Sequence, residues 1–264
     1  MDKVERYRFT VEPFHVDLTG HLFLGILGNH LLNAADHHSS RRGFGISFLM
    51  ENHYTWVLSR LCVEMTEWPM QYEEVEVETW VENVMKLFTE RNFLIRSVKD
   101  GCIYGHARSI WAMINTETRQ PADLLTLNDG AILRYVIPAE EKTCPIARHG
   151  RLPRLSGEPV RSIPTYYSDV DINGHINSIK YIEHVLDLFP REQFELHRVR
   201  RFEIAYKAES YLGDTLTFLM EETDGEHHVD IRKHVGSPEK PAGETIVQAK
   251  VCWVARDGKA GNRD

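Results

Sequence analysis

The 264-residue chain is poor in cysteine: it has four (Cys62, Cys102, Cys144 and Cys252), far apart and with no CxxC pair. That usage reads as reduced structural thiols in a cytoplasmic protein. Long apolar runs are missing too. None approaches the ~20 residues a bilayer span requires, so no membrane span is expected. The opening MDKVERYRFT has no apolar core of a secretory signal and no Arg- and Ser-rich transit character, which points to a cytoplasmic protein of bacterial origin. Positive charge is in deficit. A net charge of −8 argues against general nucleic-acid binding, and an acidic protein partner would need a local basic patch. Several familiar site motifs are absent: there is no GxSxG, no P-loop and no HExxH, and the GFG at Gly43–Gly45 is too short for a phosphate loop. The histidine pairs His37–His38 and His227–His228 are adjacent rather than four apart, so a metal site is not expected.

What is present supports a folded enzyme-sized protein. Apolar residues make up 42% and charged residues 27%, enough for a real core. The length suits one large domain or two of about 130 residues.

The chain repeats itself. Val16–His21 reads VDLTGH and Val170–His175 reads VDINGH, 154 residues later, and His30 and His184 match at the same offset. RLCVEM from Arg60 resembles RFEIAY from Arg201, and ARSIWAM from Ala107 resembles AKVCWVA from Ala249. Three matches in one order favour duplication. Between the halves, residues 136–160 hold Pro138, Pro145, Pro153 and Pro159 among mixed charges, the composition of a linker.

Apolar periodicity predicts a helix over His21–Ala35, with Thr19 as a candidate N-cap, and a second over Asn177–Phe189, stopped by Pro190. Alternation predicts strands at Thr55–Met65, Glu74–Val84, Leu87–Val98 and Tyr104–Asn115, then at Val199–Ala208, Thr215–Glu222, His227–His234 and Thr245–Ala255. Each half is thus a long helix plus an antiparallel meander, and a sheet wrapped on a central helix suits that pattern.

The most chemically loaded stretch is YYSDVDINGHINSIKYIEHVL, Tyr166–Leu186. Asp169, Asp171, Asn173 and His175 occupy every second position just ahead of the second helix. In an extended segment they would share one face, and a helix N-terminus stabilises developing negative charge. A carboxylate there can act as base or nucleophile; an amide or imidazole can orient water. Asp169 alone reads better as a cap or turn residue. Asp171, Asn173 and His175 together exceed what a cap needs.

SDVDINGHINSIKYI resembles the signature of the acyl-acyl carrier protein (acyl-ACP) thioesterases of plant plastids and bacteria. AYKAESYLGD, from Ala205 to Asp214, resembles a second landmark of that family, and the resemblance extends over roughly Tyr7–Val254. It implies an α+β fold, a tandem double hot-dog of two long helices each wrapped by an antiparallel sheet. It places an N-terminal hot-dog domain with the acyl pocket at residues 1–137, a linker at 138–160 and a catalytic C-terminal hot-dog domain at 161–264. It implies hydrolysis of fatty acyl thioesters on the acyl carrier protein to free fatty acid, with no cofactor and no metal. The family's catalytic positions fall on Asp171, Asn173, His175 and Glu209; its usual Cys beside that Glu is Ser210 here. A serine hydroxyl needs a well-placed base where a cysteine ionises near neutrality. A water mechanism is therefore favoured: Glu209 as base, Asn173 and His175 positioning water and thioester, Asp171 orienting the network, and backbone N–H groups near Gly174–His175 holding the oxyanion. Asp171 as nucleophile through an anhydride is the rival assignment.

The first half keeps Asp17 and His21 but has Thr19 for Asn, and an ungapped match sets Trp68 against Glu209, with Glu67 one residue off. That half is expected to have lost catalysis and to line the acyl pocket, with Trp56, Leu58 and Phe23 as substrate-binding candidates. Arg198, Arg200, Arg201 and Lys207, with Arg41 and Arg42, are candidate docking residues for the acidic carrier. Rival readings are a hot-dog acyl-CoA thioesterase and a non-catalytic acyl-binding hot-dog protein. A monomer and a homodimer both suit a tandem fold.

Overall fold

The computed structural model describes residues 2–234 and 243–256. The chain divides into two compact units: Met1–Val16 with His21–Arg151, and Asp17–Gly20 with Leu152–Asp264.

In the first unit the strands are β1 (Glu5–Thr10), β2 (Tyr54–Met65), β3 (Glu74–Val84), β4 (Thr89–Ser97) and β5 (Ile103–Asn115), with helices α1 (Leu24–Ser40) and α2 (Ile46–Glu51). The strand order is β1-β3-β4-β5-β2, antiparallel throughout. Helix α1 buries Leu24, Leu27, Leu31, Ala34 and Ala35 at helical spacing. It lies on β1, where the His30 ring stacks on Phe9 at 3.5 Å. Burial, with His15 nearby, pushes the His30 imidazole down to about 4, so it packs as a neutral ring.

The second unit holds β6 (Arg161–Pro164), α3 (Ser178–Leu186), α4 (Arg191–Leu196), β7 (His197–Tyr206), β8 (Thr215–Thr223), β9 (Glu226–His234) and β10 (Glu244–Ala255). Its strand order is β7-β10-β9-β8-β6. Read from the other end, this is the order of the first unit with each strand replaced by its counterpart. Helix α3 buries Ile179, Tyr181, Ile182 and Val185. It meets the sheet through His184 against Phe218 and Tyr181 against Tyr206. The architecture is therefore a hot-dog repeated in tandem. Among the described residues no helix is long and apolar enough to cross a membrane.

The repeat extends into the loops at one offset. Short 3-10 turns at Pro13–His15 and Tyr167–Asp169 precede paired bridges, Val16 with Leu22 and Val170 with Ile176. The two long helices then begin at Leu24 and Ser178. This places the first helix start later than the predicted His21, and its N-cap is Phe23 rather than Thr19. Thr19 is instead spent in the turn, where its N–H and hydroxyl both donate to Asp17 Oδ1. The second helix is capped by Asn177, whose side chain accepts the Ile179 N–H. It ends at Leu186, and Pro190 then opens α4. Strands β1 and β6 and helices α2 and α4 went unpredicted; each is six residues or fewer, too short for a periodic pattern to stand out.

The segment read as a linker is packed, not loose. Cys144, Ile146, Leu152 and Leu155 are buried. Arg108 donates to the carbonyls of Cys144 and Ile146. Leu155 N–H donates to Asp230, and Gln248 to Pro153 O.

On β3, Val75 and Val77 alternate with Glu76 and Glu78, yet all four are buried. The glutamates lie beneath basic side chains: Glu76 meets Arg8 and Arg96, and Glu78 meets Arg6, Arg96 and Lys142. Burial alone would raise both carboxyls, but hydrogen bonds and charge from these partners outweigh it and hold both below the ordinary value of 4.5. A carboxyl that binds its proton less tightly when folded contributes stability above its unfolded value and loses it as the pH falls. Tm is expected to drop as the pH goes from about 5 toward 3. In a Glu76→Gln/Glu78→Gln variant, Tm at neutral pH should be lower and this acid dependence shallower. A thermal scan against pH of both proteins checks this, and parallel curves would remove these two carboxyls from the account.

Candidate active site

The DVDINGH segment does not run extended, so its odd residues do not line one face. It folds back on itself. Asp171 N–H donates to His175 O at 2.8 Å, and Gly174 N–H to Asp171 O at 3.0 Å. The Asp171 carboxylate closes the loop, Oδ1 accepting the N–H groups of Asn173 at 2.8 Å and His175 at 3.3 Å. Gly174 sits at φ +78°, in the left-handed region that favours glycine. The first repeat builds the same turn: Gly20 at φ +81° donates to Asp17 O at 2.9 Å.

Asp169 is the cap. It is buried, its Oδ2 accepts Tyr166 N–H at 2.8 Å, and its backbone carbonyl accepts Asn177 N–H at 2.8 Å. The backbone N–H groups of Gly174 and His175, expected as oxyanion donors, are both engaged inside the turn. The reason is local. Asp171 is the acceptor nearest to them, and the helix with its unpaired N–H groups starts only at Ser178.

The turn aims His175 at the loop after β7. His175 bridges to Tyr211, and Ile176 N–H donates to Ser210 O at 2.9 Å. This pairing brings Glu209 to the imidazole: His175 Nε2 lies 3.6 Å from Glu209 Oε2, with side chains 26% and 29% exposed. Both groups are held by protein on one side and reachable by water on the other. Tyr211 O–H donates to the same Glu209 Oε2 at 3.0 Å, its ring edge-on to His175 at 5.2 Å. Lys233 Nζ donates to Glu209 O at 2.6 Å. Asn173 is exposed.

Ser210 is buried and its hydroxyl pairs with Tyr181 O–H at 2.7 Å. Burial pushes the Tyr181 phenol up to about 12, so it stays protonated and supplies no base to the serine. Lys180 is spent on Glu183 at 2.7 Å. Ser210 and Tyr181 therefore pin the Glu209 loop to α3.

In the first repeat His21 bridges to Met70 as His175 does to Tyr211. That register sets Trp68, buried, at the place of Glu209 and rules out the one-residue slip to Glu67. Of the pocket candidates, Trp56 lines a cavity of about 90 Å³ in the first unit, with Ala35, Phe44, Val81, Trp111 and Ile132. Leu58 is buried elsewhere in the core and Phe23 is 47% exposed; neither lines it. Arg41 and Arg42 both pair with Glu5, and Arg201 with Glu203. Among the described residues no three His, Cys, Asp or Glu side chains converge as metal ligands.

Two family models match in succession: the acyl-ACP thioesterase N-terminal domain over residues 2–126 and the C-terminal domain over residues 156–255. The chain belongs to the acyl-ACP thioesterase family. A crystal structure of an acyl-ACP thioesterase from Bacteroides thetaiotaomicron superposes with a TM-score of 0.86 at 50% identity, covering 96% of this chain and 98% of that one. The 12:0-ACP thioesterase from Umbellularia californica has the same fold, with a TM-score of 0.81 at 22% identity over 97% of this chain and 99% of that one. Among curated relatives, the dodecanoyl-[acyl-carrier-protein] hydrolase of Cinnamomum camphora is 27% identical over 95% of this chain and 67% of its own length. The oleoyl-acyl carrier protein thioesterase 2 of Arabidopsis thaliana is 26% identical over 80% of this chain and 61% of its own. The chain thus spans about three-fifths to two-thirds of these plant proteins.

Within this acyl-ACP thioesterase fold, sequence reasoning had missed Tyr211 and Lys233. A signal for Tyr211 was available: it stands two residues after Glu209, on the same side of an extended stretch. Lys233 had none, because it comes from a strand 24 residues further on.

Proposed function

We propose that this protein hydrolyses fatty acyl thioesters carried on the phosphopantetheine arm of an acyl carrier protein, releasing free fatty acid. The observation that carries the reading is the 3.6 Å approach of His175 Nε2 to Glu209 Oε2 in a water-reachable site of a family member. Glu209 takes a proton from water, and the hydroxide adds to the thioester carbonyl carbon. The tetrahedral oxyanion then collapses, the C–S bond breaks, and the departing thiolate takes the proton back from Glu209. His175 and Asn173 orient the water and the thioester. With the turn amides occupied, oxyanion stabilisation falls to these two side chains. Asp171 orients His175 and Asn173 by closing their turn. Its Oδ1 is occupied by two backbone N–H donors and holds the turn closed, which supports the water route over the anhydride. The first unit, with tryptophan in place of the catalytic glutamate, supplies the acyl pocket, and Trp56 lines it.

Release of fatty acid should be measured from acyl-carrier proteins and acyl-CoAs of matched chain length. Strong preference for the carrier substrates is expected. Equal use of CoA esters would reassign the substrate to acyl-CoA, and fatty-acid binding with no hydrolysis of either would leave an acyl-binding protein.

A further inference from the structure

Glu209 is held at more than one point. Its main-chain carbonyl is clasped by Lys233 Nζ at 2.6 Å, and the same ammonium sits 6.0 Å from the centre of the Tyr211 ring. Lys233 also pairs with Glu244 at 3.5 Å. The backbone of Tyr211 is fixed on both sides: its N–H donates to Asp214 Oδ2 and its carbonyl accepts Thr165 O–H, each at 2.8 Å. On that fixed backbone the phenol reaches Glu209 Oε2 at 3.0 Å, the oxygen that faces His175 Nε2. The ring meets the imidazole edge-on. Tyr211 is 45% exposed, so core packing does not account for an aromatic residue there.

The internal repeat gives an independent indication. Where the glutamate is replaced by Trp68, the residue bridged to the histidine is Met70, which has no hydroxyl to donate. The phenol and the carboxylate are present together in one unit and absent together in the other.

We propose that Tyr211 is a positioning residue for the reaction: its hydroxyl sets the rotamer of Glu209 and its ring sets the plane of His175, so that base and imidazole face one water. This rests on the reading of Glu209 as base. A donor on the carboxylate favours its ionised form, so removing the hydroxyl makes Glu209 hold its proton to higher pH. The charged and titratable groups around it include His175, Lys233, Asp214 and Glu244, and Tyr211→Phe changes none of them.

The test is Tyr211→Phe in the full chain, assayed on an acyl-carrier substrate across pH. The variant should lose about tenfold in kcat with KM unchanged, the worth of one hydrogen bond to a charged group. The acid limb of its kcat/KM profile should move up by about one pH unit. An unchanged rate and profile would overturn the proposal, as would a rate loss with lowered Tm and no shift of the acid limb. Carbon-13 NMR titration of the Glu209 carboxyl in wild type and variant reads the same contact without turnover. If no thioester is hydrolysed, the proposed function fails while this titration still decides the contact: a higher midpoint in the variant supports it, and equal midpoints refute it.

Discussion

Glu209→Ala is expected to lower kcat on an acyl-carrier thioester by about 10²–10⁴-fold, the usual contribution of a positioned general base, with KM changed little. The geometry sets the direction. Glu209 Oε2 lies 3.6 Å from His175 Nε2 on a side chain that is 29% exposed; Asp169 closes the 3-10 turn before the DVDINGH loop and Asp171 closes the loop itself. Its main chain is held by Lys233 and by the Ser210–Ile176 pairing, so truncation removes the base and leaves the loop in place. Steady-state kinetics beside wild type, with circular dichroism to verify folding, checks this. Full activity in Glu209→Ala would remove that residue from the mechanism and turn attention to Asp171 as nucleophile.

The largest effect on stability is expected in the first unit. Glu82→Ala should cost about 3–5 kcal/mol, the usual loss when one member of a buried charge network is removed. Glu82 is buried in β3, where it accepts from Asn92 at 2.5 Å, from Arg108 at 3.2 Å and from Arg148 at 2.8 Å. Arg108 is itself buried and also holds the carbonyls of Cys144 and Ile146. Without Glu82 its guanidinium is left without that counter-charge in the interior, and the Cys144–Ile146 segment it holds is less firmly anchored. The expected fall in Tm is roughly 10 °C. Glu82→Ala/Arg108→Met should recover part of it, because the stranded charge goes with the second change. Thermal denaturation of the single and double variants checks both statements; a double variant no more stable than the single would place the cost in packing instead of charge.

How far the sequence could be read varies by element, for physical reasons. Strand β3 was legible to the residue because Val75, Val77 and Val81 repeat with the period of a pleated strand, and a glycine- and proline-free run leaves no competing reading. The end of α1 was not, because the apolar stripe stops at Ala35 while the helix continues through His37 and His38. His38 packs inside, its Nε2 donating to Lys3 O, a contact 35 residues away. The DVDINGH turn was misread as extended because alternation is common to a strand and to a turn whose aspartate accepts its own downstream N–H groups. Only the backbone path separates the two.

Local and repetitive features belong to the sequence alone: two copies of one helix-and-meander unit, the Asp-x-x-Gly-His turns with their glycines, the polar cluster at Asp171, Asn173 and His175, and a motif specific enough to carry the family resemblance. Each depends on neighbours within about a dozen residues, where spacing and stereochemistry decide. The tertiary structure decided which carboxylate meets His175, that Ser210 pairs with Tyr181, that Tyr211 and Lys233 hold Glu209, and that the turn's N–H groups are already taken. The long-range ones among them, Lys233–Glu209, Ser210–Tyr181 and His175–Glu209, join residues 24 to 34 positions apart through strand and bridge register, and register is set by which faces find a core to bury.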